Sequence, residues 1–253
     1  MIARIILIGL IFLFYIWTCT VGTFSFNSNS YKHSYLPSYN YYNKLSSALL
    51  NGKLHLEIKV PSGLLKLKDP YAYIANEKYR MGGVHDLSLY KGKLYLYFGI
   101  TPAITLFMPY KLLTGNDLPN NLAVLIFTFG NFVLATLLLL YLKRKYFKDI
   151  PEYILLIAIF TIGLANGGPF LLRASNVYEV AIASGCFFLT GSLFFFSKAY
   201  ENVKPNILLL TLGSLFLGLA GGSRPHFIFC GVILLFLLLK NKKFISSLIL
   251  PFL

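Results

Sequence analysis

Acidic side chains are scarce: nine Asp and Glu stand against 23 Lys and Arg, a net charge of +14. Charge of either sign is thin as well, at 13% of 253 residues, where soluble domains carry about 25%. With 57% hydrophobic residues and a mean hydropathy of +0.67, this scarcity excludes an ordinary soluble domain and points to an integral membrane protein. Cysteine is almost missing. Cys19, Cys186 and Cys230 all fall in apolar runs, without metal-ligand spacing and too few for a disulfide framework. They read as small packing residues. No Asp-x-Asp pair, phosphate-binding glycine loop, Cys-x-x-Cys or Ser-His-Asp spacing occurs, so a nucleotide-sugar metal site of the soluble type has no support. The pattern calls for no cofactor and leaves a divalent metal open. The positive balance does not imply nucleic acid, because most Lys and Arg sit in short loops between apolar runs or in one long polar loop. Basic residues beside apolar spans set topology or meet anionic lipid headgroups.

The apolar runs lead to an all-α integral membrane fold of about six to seven transmembrane helices. Residues 1–22 read as an N-terminal anchor with Arg4 behind the apolar run and no small-x-small cleavage site at its end. Residues 23–98 form a large first extracytoplasmic loop, too long for a mere connector. Within it Leu54, Leu56, Ile58 and Val60 alternate as in a short strand, Pro61-Ser62-Gly63 marks a turn, and Lys91-Gly92 marks a hairpin tip. Residues 99–114 are apolar but short and carry Pro102 and Pro109. They suit a juxtamembrane or re-entrant helix. Residues 115–253 form the multi-helix domain, with spans near 121–142, 152–171, 177–197, 206–221 and 226–239, ending within the apolar run Ser246–Leu253. That ending reads as a truncated or split version of a longer chain.

Topology follows from the short loops. Lys143, Arg144, Lys145 and Lys148 form the densest basic cluster, followed by Lys240, Lys242 and Lys243, with Lys198 and Lys204 between. If these face the cytoplasm, and the N-terminus does too, then 99–114 does not cross. The turns at Arg173–Asn176 and Gly221–His226 then share the outer plane with the long loop.

Candidate functional residues are those of that plane. Asp86 is the leading general base, since group transfer to a hydroxyl or amine requires a proton acceptor. Its ordinary alternative is to cap or end a turn. Asp69, before Pro70, is more turn-like still. His85 is expected to point away from Asp86 in an extended segment. Arg173 and Arg224, at the ends of spans, suit a phosphate headgroup through their guanidinium forks or else snorkel to lipid. The turn before Arg224, Gly221-Gly222-Ser223, lets backbone amides approach the same anion, and His226 flanks it. Glu179 sits in the first turn of a span, where it serves either the helix N-terminus with a salt bridge to Arg173 or a substrate.

Three blocks carry a family resemblance. Asp86-Leu-Ser-Leu-Tyr90-Lys-Gly92-Lys-Leu-Tyr95-Leu-Tyr97-Phe98-Gly99-Ile-Thr-Pro102 resembles a block of large bacterial polytopic membrane proteins. So do Asn176-Val-Tyr178-Glu179-Val-Ala-Ile-Ala183 and Leu219-Ala-Gly-Gly-Ser223-Arg224-Pro225. Those proteins look like the GT-C superfamily of glycosyltransferases, near its protein mannosyltransferase and aminoarabinose transferase branch. The resemblance covers residues 1 to about 240. It implies a polyprenyl-phosphate-linked sugar donor, a location in the bacterial inner membrane, and a loop carboxylate as the catalytic group. Asp86, or failing that Asp69, takes that place. The acidic pair common in the mannosyltransferase branch is absent, since His85 and Leu87 flank Asp86. Two other readings stand beside it. One is a transporter of a lipid-linked sugar, against which stand the charge-free spans and the lack of an internal repeat. The other is a non-catalytic fragment or a subunit whose partner supplies further helices.

Overall fold

The computed structural model describes residues 2–26, 40–80, 84–201 and 206–232, and everything below concerns these. The described chain is mostly helical, with one small two-stranded sheet. Four helices are long and apolar enough to cross a membrane: Ile2–Cys19, Asn120–Tyr146, Glu152–Ala174 and Val177–Ala199. A shorter apolar helix, Ile207–Ser223, follows. The expected span near 226–239 opens instead as a 3₁₀ helix, Pro225–Gly231, and its remainder lies outside the described residues.

Helix α1 (Ile2–Cys19) is apolar all round, yet it buries one stripe, Ile11, Tyr15, Thr18 and Cys19. The i, i+4, i+7, i+8 spacing of that stripe is a helix period. The opposite face leaves Ile6, Leu10, Leu13 and Trp17 more than half exposed, as a lipid-facing surface would be. The polar segment then supplies α2 (Tyr41–Leu50), the single turn α3 (Ser62–Leu65) and α4 (Tyr73–Arg80). Strands β1 (Leu87–Tyr90) and β2 (Lys93–Leu96) pair antiparallel, with Leu87 opposite Leu96 and Tyr90 opposite Lys93. Lys91 and Gly92 close this hairpin with φ of 47° and 72°. Two positive φ values in a two-residue loop match the right-handed twist of the strands, so the expected hairpin tip is where the sequence puts it.

The strand expected over Lys53–Val60 is not formed. Leu56 alone bridges to Leu94, its N–H donating to the Leu94 carbonyl at 2.8 Å. Ile58 N–H turns back onto the Leu56 carbonyl at 2.9 Å. That three-residue turn occupies the donor that a second ladder bond needs.

Residues 101–114 are helical throughout, with a π-helical stretch at Ala103–Phe107 running into α5 (Met108–Thr114). Gly115, at φ 72°, ends it in the left-handed conformation, which glycine adopts without Cβ strain. Four long or apolar helices complete the bundle: α6 (Asn120–Tyr146), α7 (Glu152–Leu164), α9 (Val177–Ala199) and α10 (Ile207–Ser223). Between α7 and the short α8 (Gly168–Ala174), Asn166 breaks the run that reads as one span in sequence. Its side chain donates back to the Ile162 carbonyl and accepts from Gly168 N–H at 2.7 Å. Phenylalanines seat against glycines where α6, α9 and α10 meet. A Cβ on Gly191 would fall 2.4 Å from Phe216, and one on Gly213 would fall 2.6 Å from Phe196. Small residues at helix contacts let backbones approach, the means by which apolar helices associate without a hydrophobic drive.

Two ends of the bundle can be told apart. At one, Arg4 of α1 pairs with Glu152 of α7, and Arg144 of α6 and Lys198 of α9 both pair with Glu201. At the other, Asn121 donates to the Cys19 carbonyl at 3.4 Å, and Gly99 N–H donates to the Ser223 carbonyl at 3.2 Å. Leu118 is bonded both ways to the Asn43 side chain, at 2.8 and 2.9 Å. The segment 99–118 therefore starts and finishes at the same end, and the basic cluster lies at the end opposite.

Candidate active site

Helix α4 presents Tyr73, Asn76, Glu77 and Arg80 at i, i+3, i+4 and i+7, so all four share one face. That face looks onto the approach to β1, and a cavity of about 440 Å³ opens between them. Tyr71, His85, Asp86, Leu87, Ser88 and Tyr97 complete its lining.

The cavity walls are tied together by Arg80, which is buried. Its Nη1 donates to the Leu87 carbonyl at 2.8 Å and its Nη2 to the Pro70 carbonyl at 3.2 Å. The guanidinium carbon lies 5.3 Å from the centre of the Tyr71 ring, within cation–π range. Asn76 also donates to the Pro70 carbonyl, at 2.9 Å. Tyr71 then clasps β1, its hydroxyl donating to the Leu89 carbonyl and accepting from Leu89 N–H, both at 2.8 Å. On the other side the Tyr41 hydroxyl donates to the His85 carbonyl at 2.7 Å. The carbonyls on either side of Asp86 are thus both anchored to other elements.

Asp86 itself stands at φ 54°, in the left-handed region. Aspartate enters this region more readily than most residues, though glycine does so at less cost. Its Oδ2 is buried and has no hydrogen-bond partner. The His85 Nε2 lies 3.3 Å from it. This corrects the expectation that His85 points elsewhere: neighbours alternate only in extended backbone, and the left-handed turn at Asp86 breaks the alternation. Asp86 lines the cavity with a side chain that is 30% exposed although Oδ2 is buried, and a carboxylate so placed beside an imidazole can accept a proton from a bound hydroxyl or amine.

A second cluster gathers at Arg224. Gly99 packs so closely on the end of α10 that a Cβ there would sit 1.9 Å from the Gly222 carbonyl oxygen. Phe98 is then held edge-on to Tyr178 at 4.9 Å, with the Arg224 guanidinium carbon 5.3 Å from its ring centre. The Arg224 Nε is buried without a hydrogen-bond partner. The Tyr42 hydroxyl is also buried without a hydrogen bond. Burial raises its pKa well above the usual phenol range, with the positive charge of Arg224 acting in the opposite sense. One end of each of the three blocks 86–102, 176–183 and 219–225 meets here.

The remaining candidates lie apart from these clusters. Asp69 is exposed, and its Oδ1 accepts from Tyr71 N–H at 2.8 Å as the cap of the turn at Pro70. Glu179 closes a capping box with Asn176, its Oε2 accepting the Asn176 N–H at 3.0 Å. No ion pair, hydrogen bond or ring contact joins Arg173 to Glu179, Arg224 or Asp86 among the described residues. Arg173 is exposed at the end of α8. His226 is exposed, with its ring 4.5 Å from that of Phe227. Among the described residues no group of three His, Cys, Asp or Glu side chains is placed to hold a metal ion. Sequence reasoning passed over Arg80, Glu77, Asn76 and Tyr42. The spacing of Tyr73, Asn76, Glu77 and Arg80 is the signal that identifies the first three.

Comparison of the chain with protein-family models, with curated proteins and with solved structures finds no match.

Proposed function

We propose that this chain is a multi-pass membrane glycosyltransferase of the bacterial inner membrane, working on its outer face. It transfers a sugar from a polyprenyl-phosphate donor to an acceptor whose proton passes to Asp86. The observation that carries the reading is the Asp86 cavity. Its volume of about 440 Å³ falls within the range of small-molecule sites. Tyr71, Tyr73 and Tyr97 line it with aromatic surface suited to the apolar side of a sugar, and Glu77 and Ser88 line it with polar groups suited to its hydroxyls. The resemblance of blocks 86–102, 176–183 and 219–225 to GT-C proteins agrees with the reading, because their ends converge at Phe98, Tyr178 and Arg224.

The reaction balances simply. The acceptor oxygen or nitrogen bonds to the anomeric carbon and gives its proton to Asp86. The bond from that carbon to the phosphate oxygen breaks, and polyprenyl phosphate leaves with the electron pair. Arg224, whose guanidinium lies over Phe98, the neighbour of the cavity-lining Tyr97, is the group to which we assign that leaving phosphate, because guanidinium donors match phosphate oxygens. The segment 99–118, which begins and ends at one end of the bundle, lies at the outer surface as a juxtamembrane helix. Arg173 and His226 face the same water without belonging to the pocket.

The test is release of polyprenyl phosphate from a panel of polyprenyl-phosphate hexoses, measured in membranes carrying the wild-type chain or Asp86→Asn. The wild type releases product from at least one donor, and Asp86→Asn lowers the rate by a factor of about 10² to 10⁴. Equal release by the two chains would refute Asp86 as the base.

A further inference from the structure

At the end of the bundle away from Asp86 a second cavity, of about 590 Å³, opens between α1, α6 and α9. Its rim carries Arg4, Lys143, Arg144, Lys148 and Lys198, and no carboxylate is part of its lining. Three of these cations already face carboxylates: Arg4 pairs with Glu152, and Arg144 and Lys198 share Glu201. Lys143 and Lys148 have no ion pair with a carboxylate among the described residues; Lys143 donates to the Lys148 carbonyl at 3.2 Å. The rim is therefore positive beyond what its own anions neutralise.

The floor is of opposite character. On α6 the lining passes from Arg144 and Lys143 down to Leu140 and Leu137, and on α9 from Lys198 down to Phe194. At 1.5 Å per residue the first descent covers about 10 Å and the second about 6 Å along the helix axes. Leu137 is 42% exposed, so the deep part opens sideways to the surface that faces hydrocarbon. A cation ring set above an apolar slot that opens laterally matches an amphiphile with an anionic head and an acyl tail.

We propose that this cleft is a binding site for one anionic phospholipid, its phosphate among Lys143, Lys148 and Arg4 and an acyl chain along Leu137 and Phe194. A free phosphate would use the rim alone and gain nothing from the slot. The site is independent of the sugar-transfer reading, since none of its residues belongs to the Asp86 or Arg224 clusters.

The experiment uses the purified full chain in neutral detergent, with native mass spectrometry counting bound phosphatidylglycerol in the presence of equal phosphatidylcholine. One phosphatidylglycerol is retained, and Lys143→Gln/Lys148→Gln weakens its binding. Each charge near an anionic lipid is worth about fivefold, so the pair amounts to roughly thirtyfold. Lys66→Gln/Lys68→Gln, which removes the same charge from the polar segment near Asp86, leaves binding intact. Leu137→Trp fills the slot without touching charge and also weakens retention, which keeps the proposal testable should the lysine variant fail to fold. The proposal is overturned if phosphatidylcholine is retained equally or if the two lysine pairs have the same effect. It is also overturned if millimolar inorganic phosphate displaces the lipid completely, since the site would then be for a free anion.

Discussion

Asp86 stands at φ 54° with the carbonyls of His85 and Leu87 each held by another element. Holding a non-glycine residue there costs about 1 kcal/mol or more, and the surrounding bonds sustain it. Asparagine tolerates the same region, so Asp86→Asn keeps the backbone while removing the proton acceptor. The fall in transfer rate should therefore come with a Tm within a degree or two of the wild type. A large drop in Tm would instead make Asp86 a turn residue. Gly99 is constrained for a different reason. Its φ is unremarkable, but a Cβ would meet the Gly222 carbonyl oxygen at 1.9 Å and the Ser223 carbonyl oxygen at 2.8 Å. Both are backbone atoms, so no rotamer change relieves the clash. Gly99→Ala should destabilise the chain by about 2–3 kcal/mol and displace Phe98 from Arg224. Thermal unfolding of the variant in detergent checks the first effect, and loss of transfer without loss of expression checks the second.

At the scale of elements, Glu179 separates two roles. As a helix cap it needs only an oxygen that accepts the Asn176 N–H, whereas as a substrate ligand it needs its charge. Glu179→Gln keeps an acceptor, and so should retain both stability and activity, while Glu179→Ala should cost about 1 kcal/mol of stability. Loss of activity in Glu179→Gln with an unchanged Tm would return the residue to the site. The hairpin was legible in sequence because Lys91 and Gly92 lie between two short apolar-alternating runs, and backbone twist admits few residues at such a tip. Helix α4 was not legible. It is eight residues long, below the length at which an isolated helix holds in water, and it forms because Asn76 and Arg80 side chains tie it to Pro70 and Leu87 in the segments on either side of it. Missing α4 meant missing the wall that turns Asp86 from a turn residue into one facing a cavity.

For the whole molecule, the sequence placed its candidates by counting apolar runs, and counting assigns residues to an end of the bundle but not to a pocket. Asp86, Arg173, Arg224 and His226 do share one end, yet Arg224 alone of the last three has a buried guanidinium nitrogen against the loop block. Which end faces outward is the remaining premise of the proposed mechanism, and accessible positions at both ends allow it to be measured. Ser175 and Ser223 are buried and would report packing rather than sidedness. Tyr90, Arg173 and His226 are exposed at the Asp86 end, and Phe147 is exposed at the basic end. Each is to be changed to cysteine in a chain lacking Cys19, Cys186 and Cys230, then treated in intact cells with a membrane-impermeant thiol reagent. Labelling of Tyr90→Cys, Arg173→Cys and His226→Cys, with Phe147→Cys labelled only after lysis, is the expected pattern. It follows from the basic loops facing the cytoplasm and from segment 99–118 returning to the end it left. The reverse pattern would put Asp86 on the cytoplasmic face and turn the positive rim around Lys143 toward the outer leaflet. Labelling of Tyr90→Cys on the side opposite Arg173→Cys would be more damaging, because Phe98 and Tyr178 are in ring contact and no bilayer can separate them.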